Sequence, residues 1–113
     1  MVKFKVKPTQ KETWRYIGFE VISEGKPGEK DVVHATTQSI LRMFGEEGAS
    51  ETNVWLIEYD EKKKIGILRC SNKAQTKVLG ALTAVTKIDD SRTVFNTLGV
   101  SGTIKKLKQN YLN

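Results

Sequence analysis

The sequence predicts an α+β fold in which four strands form one antiparallel sheet, two helices pack on it, and a further helix follows. Three observations support this class. The chain of 113 residues is long enough to bury one hydrophobic core. Its composition, 38% hydrophobic and 28% charged, is typical of a folded globular protein. Runs rich in aromatic and β-branched residues alternate with runs whose apolar residues recur at helical spacing.

The first half of the chain predicts one strand and one helix. Residues 12–23 are rich in aromatic and β-branched side chains and end at the turn-forming segment EGKPGE. Residues 30–45 predict a helix, with Asp31 as its N-cap and Gly45 as the residue after its last turn. The apolar face of this helix consists of Val33, Thr37, Ile40, Leu41 and Phe44.

The second half predicts a β-hairpin, a helix, a strand and a terminal helix. The strands are expected over residues 52–60, 64–71 and 89–100, and the polar turn EKKK joins the first two. The helix over residues 71–85 has Ser71 or Asn72 as its cap. The terminal helix carries an apolar stripe of Ile104, Leu107, Tyr111 and Leu112. The order β-α-β-β-α-β with an additional C-terminal helix is that of ferredoxin-like folds.

Positive charge is concentrated at the two ends of the sequence. The net charge is +6, yet residues 12–100 hold 12 basic and 13 acidic side chains. The excess comes from four lysines within residues 1–11 and three within residues 101–113, and neither segment contains an acid. We therefore expect a basic tail, residues 1–11, followed by a single domain, residues 12–113. Basic ends either favour a polyanionic partner or only aid solubility.

The sequence shows no constellation that would support catalysis or metal binding. His34 is its single histidine and Cys70 its single cysteine, so neither has a second group at ligand or catalytic spacing. The acid pair at 46–47 follows a predicted helix end and precedes a loop, where solvated charge is the ordinary outcome, and we interpret the pair at 89–90 in the same way. We expect no intrinsic active site, no metal and no cofactor bound by the protein. The lone cysteine and the lack of a long apolar run indicate a cytoplasmic protein.

The predicted sheet lacks the aromatic residues on which sheets of this type usually stack RNA bases. The third-strand segment KKIGILRC has isoleucine and leucine where stacking rings are expected. On the first strand, Trp14 and Tyr16 alternate onto one face. The isoleucines suit burial against another helix or protein, and the terminal helix is one candidate to cover them.

The segment LGVSGTIKKLKQNYL, residues 98–112, allows two interpretations. With Ser101 as the N-cap, the backbone N–H groups of Gly102, Thr103 and Ile104 begin the helix and offer an anion site beside three lysines. Alternatively, Ser101 only caps the helix, and the lysines form its solvated face. The charge distribution favours the first interpretation.

Three segments resemble one protein family in their order and spacing. They are RYIGFEVISEG (15–25), NVWLIEYDEKKKIGILRC (53–70) and VFNTLGVSGTIKKLKQNYL (94–112), of which TLGVSGTI is the most specific. Together they are similar to archaeal ribonuclease P protein component 2, whose eukaryotic relative is shared by ribonucleases P and MRP. The N-terminal VKFKVKPTQKE is not diagnostic of that family.

The resemblance implies an RRM-like fold and a role in ribonuclease P, the ribonucleoprotein that removes the 5′ leader from precursor tRNA. Because the RNA of that enzyme holds the catalytic centre, Mg²⁺ is expected on the RNA component. The implied partners are the ribonuclease P RNA, precursor tRNA indirectly, and ribonuclease P protein component 3. Self-association to a homodimer within a heterotetramer is also implied, and no membrane contact.

Charge, helix-end geometry and resemblance together assign candidate contact residues. For RNA we expect contacts from Lys3, Lys5, Lys7, Arg15, Tyr16, Arg69, Ser101, Gly102, Thr103, Lys105, Lys106 and Lys108. An alternative stays open for the sheet arginines, which would equally suit ion pairs with Glu20 or Glu58. For protein partners we expect the first helix and the loop after it, through Val32, Met43, Phe44, Glu46 and Glu47.

Two other functions fit parts of the same pattern. A stand-alone single-stranded RNA-binding module predicts that affinity depends on Trp14 and Tyr16. A ferredoxin-like small-molecule regulatory domain predicts no salt-sensitive RNA affinity. A ribonuclease P subunit instead predicts that lysine changes cost most affinity, with a log–log salt slope of about −4 to −7 for six to eight phosphate contacts.

Overall fold

One antiparallel sheet separates two helical layers of unequal size. The computed structural model describes residues 13–112. The strands are β1 (Trp14–Ser23), β2 (Trp55–Asp60), β3 (Ile65–Ser71), β4 (Lys87–Ile88) and β5 (Ser91–Ser101), and the helices are α1 (Glu29–Thr52), α2 (Gln75–Thr83) and α3 (Ile104–Tyr111). The strand order is β2-β3-β1-β5-β4, with every neighbouring pair antiparallel. The tail expected over residues 1–11 lies outside the described residues.

The predicted fold class is confirmed, but the sheet has five strands rather than four. The additional strand is β4, whose two residues pair with Arg92 and Ser91 of β5. Asp89 has a left-handed backbone (φ 53°), so the chain turns there and the last strand begins at residue 91 rather than 89. A pairing of two residues leaves no periodic pattern, which explains why the sequence does not reveal it.

Helix α1 differs from its prediction at both ends. Its N-cap is Gly28, and the Asp31 carboxylate accepts a hydrogen bond from the Gly28 N–H at 3.0 Å, so Asp31 lies inside the first turn. Gly45 has the positive φ (72°) of a helix-ending residue, yet the chain resumes helical geometry and continues to Thr52. The helical segment after Gly45 is stabilised by packing, because Ala49 and Thr52 are fully buried. Residues 46–47 are therefore helical, not in a loop.

A 3₁₀ turn separates β3 from α2. It spans Asn72–Ala74, and α2 begins only at Gln75, later than the predicted start of that helix. Ser71 precedes the turn without capping it, since its hydroxyl donates to the Glu51 carbonyl oxygen at 3.5 Å. The helix ends at Thr83, so the predicted range of 71–85 is too long at both ends.

The two faces of the sheet are covered to different extents. On the face covered by α1 and α2, here called the core face, Phe19 stacks between Phe95 and Tyr59 at ring-centroid distances of 5.5 and 6.4 Å. On the opposite face, here called the α3 face, Leu107 is fully buried and lies against Gly18. The expectation that the terminal helix covers this face is confirmed. None of the helices between residues 13 and 112 is long and apolar enough to cross a membrane.

Candidate nucleic-acid interface

Three of the predicted RNA-contacting residues lie side by side on the α3 face. Tyr16 of β1 is directly opposite Arg69 of β3 on one side and Ser101 of β5 on the other. Residues directly opposite in an antiparallel sheet present their side chains to the same face. The strand register therefore joins three positions that are up to 85 residues apart in sequence into one row.

The Arg69 side chain stacks on an aromatic ring rather than pairing with an acid. Its guanidinium carbon is 4.1 Å from the centroid of the Trp14 ring, a cation–π contact. Its Nε is buried and has no hydrogen-bond partner among the described residues. The acids considered as alternative partners are engaged elsewhere, since Glu20 accepts from Asn96 and Glu58 pairs with Lys108.

Arg15 lies at the same end of the sheet, opposite Cys70 of β3. Its Nη1 donates to the Trp14 carbonyl oxygen at 3.2 Å and lies 3.3 Å from the point where a Cβ on Gly102 would stand. Burial raises the pKa of the Cys70 thiol to about 11, and the positive charge of Arg15 only partly opposes this. Cys70 is therefore an uncharged thiol in the core, opposite the positively charged Arg15 in the neighbouring strand.

The start of α3 differs from its prediction. The N-cap is Thr103, whose hydroxyl accepts the Lys106 N–H at 3.2 Å, while Ser101 is the last residue of β5. The Ser101 hydroxyl accepts the Thr103 N–H at 3.3 Å. Gly102 and Thr103 therefore precede the helix. Because Thr103 accepts the N–H groups of Lys106 and Leu107, the first-turn N–H groups left for an anion are those of Ile104 and Lys105.

The three lysines of α3 are in two different situations. Lys105 and Lys106 are exposed and have no ion-pair partner among the described residues. Lys108 forms an ion pair with Glu58 of β2, with Nζ and Oε1 2.9 Å apart, and both side chains are about half exposed. The predicted contacts at Lys3, Lys5 and Lys7 lie outside residues 13–112.

We name this assembly the basic end of the sheet. It comprises Trp14, Arg15, Tyr16, Arg69, Ser101, Gly102 and Thr103. The sequence pattern placed Trp14 on this face without assigning it as a contact. It missed Trp55 of β2, which is opposite Arg69, although the alternation within TNVWLIEYD carries that signal.

The residues predicted for protein contact are dispersed by the structure. Val32 is fully buried in the core, so its assignment to spare apolar surface is wrong. Phe44 is partly buried against the core, with the Lys77 ammonium 5.6 Å from its ring centroid. Met43, Glu46 and Glu47 are exposed on the outer side of α1.

Between residues 13 and 112, these surfaces are not accompanied by a cluster of side chains that could hold a metal ion. The described residues contain no group of three or more histidine, cysteine or acidic side chains that could hold a metal ion. The buried Cys70 thiol has no neighbouring base among the groups that shift its pKa. The geometry of the basic end is suited to binding an anion or a planar group.

Comparisons with known proteins agree on one family. The sequence profile of the Rpp14/Pop5 family matches residues 15–112. Ribonuclease P protein component 2 of Thermococcus gammatolerans is 43% identical over 106 residues, covering 93% of this chain and 88% of that protein. The same component of Pyrococcus furiosus is 39% identical, with 94% and 88% covered, and that of Archaeoglobus fulgidus is 39% identical, with 93% and 94% covered.

A solved structure shows the same fold at low sequence similarity. A chain in the cryo-EM structure of yeast ribonuclease MRP superposes with a TM-score of 0.66 and 15% identity. The superposition covers 86% of this chain and 79% of that chain.

Proposed function

The chain belongs to the Rpp14/Pop5 family, and on that premise we propose that it is the protein subunit of ribonuclease P that binds the catalytic RNA through the basic end of its sheet. The observation that carries the proposal is that Arg15 and Arg69 lie at the same end of the sheet, Arg15 near Gly102 and Arg69 against the Trp14 ring. Neither arginine forms an ion pair with an acid among the described residues. Their charge is therefore available to phosphates.

The protein contributes charge and position, and RNA-bound Mg²⁺ supplies the chemistry. The planar guanidinium of arginine can donate two parallel hydrogen bonds to phosphate oxygens. Two arginines at one end of the sheet can therefore bind phosphates of a folded RNA. Lys105 and Lys106 extend this cationic surface along the exposed side of α3. The lysines of residues 1–11 precede β1 in sequence and add four further charges.

Membership of the family supports a proposal for the protein partners. We propose that the chain works with ribonuclease P protein component 3 and self-associates to a homodimer within a heterotetramer. It acts in the cytoplasm and contacts precursor tRNA only indirectly. The outer side of α1 is the surface proposed for protein contact, because Met43 is 47% exposed and Glu46 and Glu47, three and four positions later, are exposed as well. An apolar side chain rimmed by charge is typical of a protein contact site.

Reconstitution tests the proposal. Ribonuclease P RNA and component 3 should cleave precursor tRNA at reduced Mg²⁺ only when this protein is added. The double variant Arg15→Gln, Arg69→Gln should lose most of that gain, because it removes two phosphate-binding charges. The variant Arg92→Gln is the matched control, since Arg92 is exposed at the opposite end of β5. Full activity without the protein would contradict the assignment to ribonuclease P.

A further inference from the structure

We propose that the basic end holds one unpaired nucleobase, which stacks on the Arg69 guanidinium with the Trp14 ring behind it. This inference rests on the proposed RNA contact and adds a ligand class to it. The partner is a single unstacked nucleotide within a folded RNA, rather than a run of single strand or a bare phosphate backbone.

The Arg69 guanidinium is held as a platform with unused hydrogen-bonding capacity. The Trp14 ring lies 4.1 Å from the guanidinium carbon and supports one side of its plane. Its Nε is a buried donor without a partner among residues 13–112, which is costly unless a ligand supplies an acceptor. Guanidinium planes stack on unpaired RNA bases, and a 2′-hydroxyl or a phosphate oxygen of the same RNA offers an acceptor for the in-plane Nε–H group.

Aromatic residues flank this platform on both neighbouring strands. The register places Tyr16 of β1 and Trp55 of β2 directly opposite Arg69. These three side chains, and that of Trp14 two positions before Tyr16 on the same side of β1, are partly exposed. Three partly exposed aromatic side chains grouped around one guanidinium are typical of a surface that binds a planar ligand.

Helix α3 limits the platform to one base. Sheets of this architecture commonly stack two or three bases on adjacent strands. Here Leu107 and Leu112 lie over Gly18, and a Cβ at Gly99 would clash with the Tyr111 ring. The positions next to the Arg69 row are thus occupied by the protein itself, and Ile67 beside Gly18 is buried. An extended single strand has no continuous path across this face.

The test compares three RNA hairpins with one common stem. The first carries a single bulged adenosine, the second an abasic site at the same bulge, and the third no bulge. Fluorescence anisotropy at one fixed salt concentration gives each affinity. We expect the bulged adenosine to bind roughly 5- to 100-fold more tightly than the abasic bulge, the range found for one stacked base.

Charge-preserving variants separate stacking from phosphate contact. Arg69→Lys keeps the positive charge but lacks the plane, so it should bring the adenosine-to-abasic ratio close to one while leaving the salt slope unchanged. Arg92→Lys, at the far end of β5, should leave both quantities unchanged. Trp14→Ala removes the ring behind the guanidinium and should also bring the adenosine-to-abasic ratio close to one. Circular dichroism checks that both variants are folded.

The outcomes separate this proposal from the proposed function. Equal affinities for the adenosine and abasic bulges, with a steep salt slope, would overturn the base site and leave RNA binding intact. A preference for adenosine that survives both Arg69→Lys and Trp14→Ala would also overturn it, because the base would then stack elsewhere. Absence of salt-sensitive binding to all three hairpins would overturn both proposals.

Discussion

The α3 face of the sheet has two ends with opposite character. At the basic end, Trp14 and Tyr16 lie beside Arg69, a cation without an acidic partner among the described residues. At the other end, Ile22 and Val94 are directly opposite each other, 54% and 57% exposed, and carry no charge. The middle is closed by α3. One surface is thereby divided into a cationic aromatic region suited to RNA and a region centred on two exposed aliphatic side chains.

The largest expected effect concerns the helix that divides the two ends. Leu107 is fully buried on the α3 face, so Leu107→Ala should destabilise the protein by about 2–5 kcal/mol. The exposed Val94 is the control, and Val94→Ala should change the free energy of unfolding by about 0.5 kcal/mol or less. Urea unfolding measures both, and equal costs would show that α3 is not docked as described.

The next effect concerns the core beneath the basic end. The pKa of Cys70 is about 11 in the folded protein, against an ordinary value of 9.0. Between these values only the unfolded chain releases the thiol proton, so folding stability falls as pH rises, by about 2–3 kcal/mol in total. Below pH 9 both states keep the proton, and stability is unaffected by this group.

Urea unfolding from pH 8 to 11, with and without Cys70→Ala, measures this contribution. Tyr59 also has a raised pKa, chiefly through burial and then through Glu61, and it acts in the same direction at the alkaline limit. In Cys70→Ala, the free energy of unfolding should therefore depend less steeply on pH than in the unchanged protein, and the remaining slope should come from Tyr59. Identical pH dependences would show that Cys70 does not titrate as stated.

The comparison of the two ends is tested more directly by three arginine variants. Arg15→Ala and Arg69→Ala should each weaken binding to ribonuclease P RNA about 5- to 10-fold and lower the salt slope by about one. Arg92→Ala, away from the basic end, should change affinity less than twofold. Filter binding at several salt concentrations gives these values. Equal losses of affinity in all three variants would mean that RNA binding depends on the net charge of the protein rather than on the basic end.

The smallest expected effect concerns the one ion pair formed among the described residues. Glu58→Gln should release Lys108 for phosphate and raise RNA affinity about twofold at low salt, with a stability change below about 1 kcal/mol. Glu47→Gln removes an equal charge from the exposed side of α1 and serves as the control. A similar gain in both variants would indicate a general charge effect.

The parts of the fold that were predictable have short repeating patterns. The alternation of Trp14 and Tyr16 along β1 and the helical spacing around Leu107 require no knowledge of distant residues. They correctly predicted which strand side is aromatic and that α3 is amphipathic. The buried isoleucine on the α3 face followed from the same alternation.

The errors arose where pairing partners far apart in sequence decide the outcome. Ser101 and Thr103 are both good N-caps, and the choice depends on β5 extending to pair Ser101 with Tyr16. Gly45 locally ends a helix, yet burial of Ala49 makes the chain helical again. The contact between Trp14 and Arg69 joins two strands across 55 positions, so no local pattern contains it.

The central claim, that RNA is bound at the basic end of the sheet, is tested most directly by ultraviolet crosslinking of this protein to ribonuclease P RNA. Mass spectrometry then identifies the peptides that carry nucleotide adducts. We predict adducts on the peptides containing Trp14 to Tyr16, Arg69 and residues 102–106. Adducts confined to the Ile22 and Val94 end, or to the outer side of α1, would contradict the account.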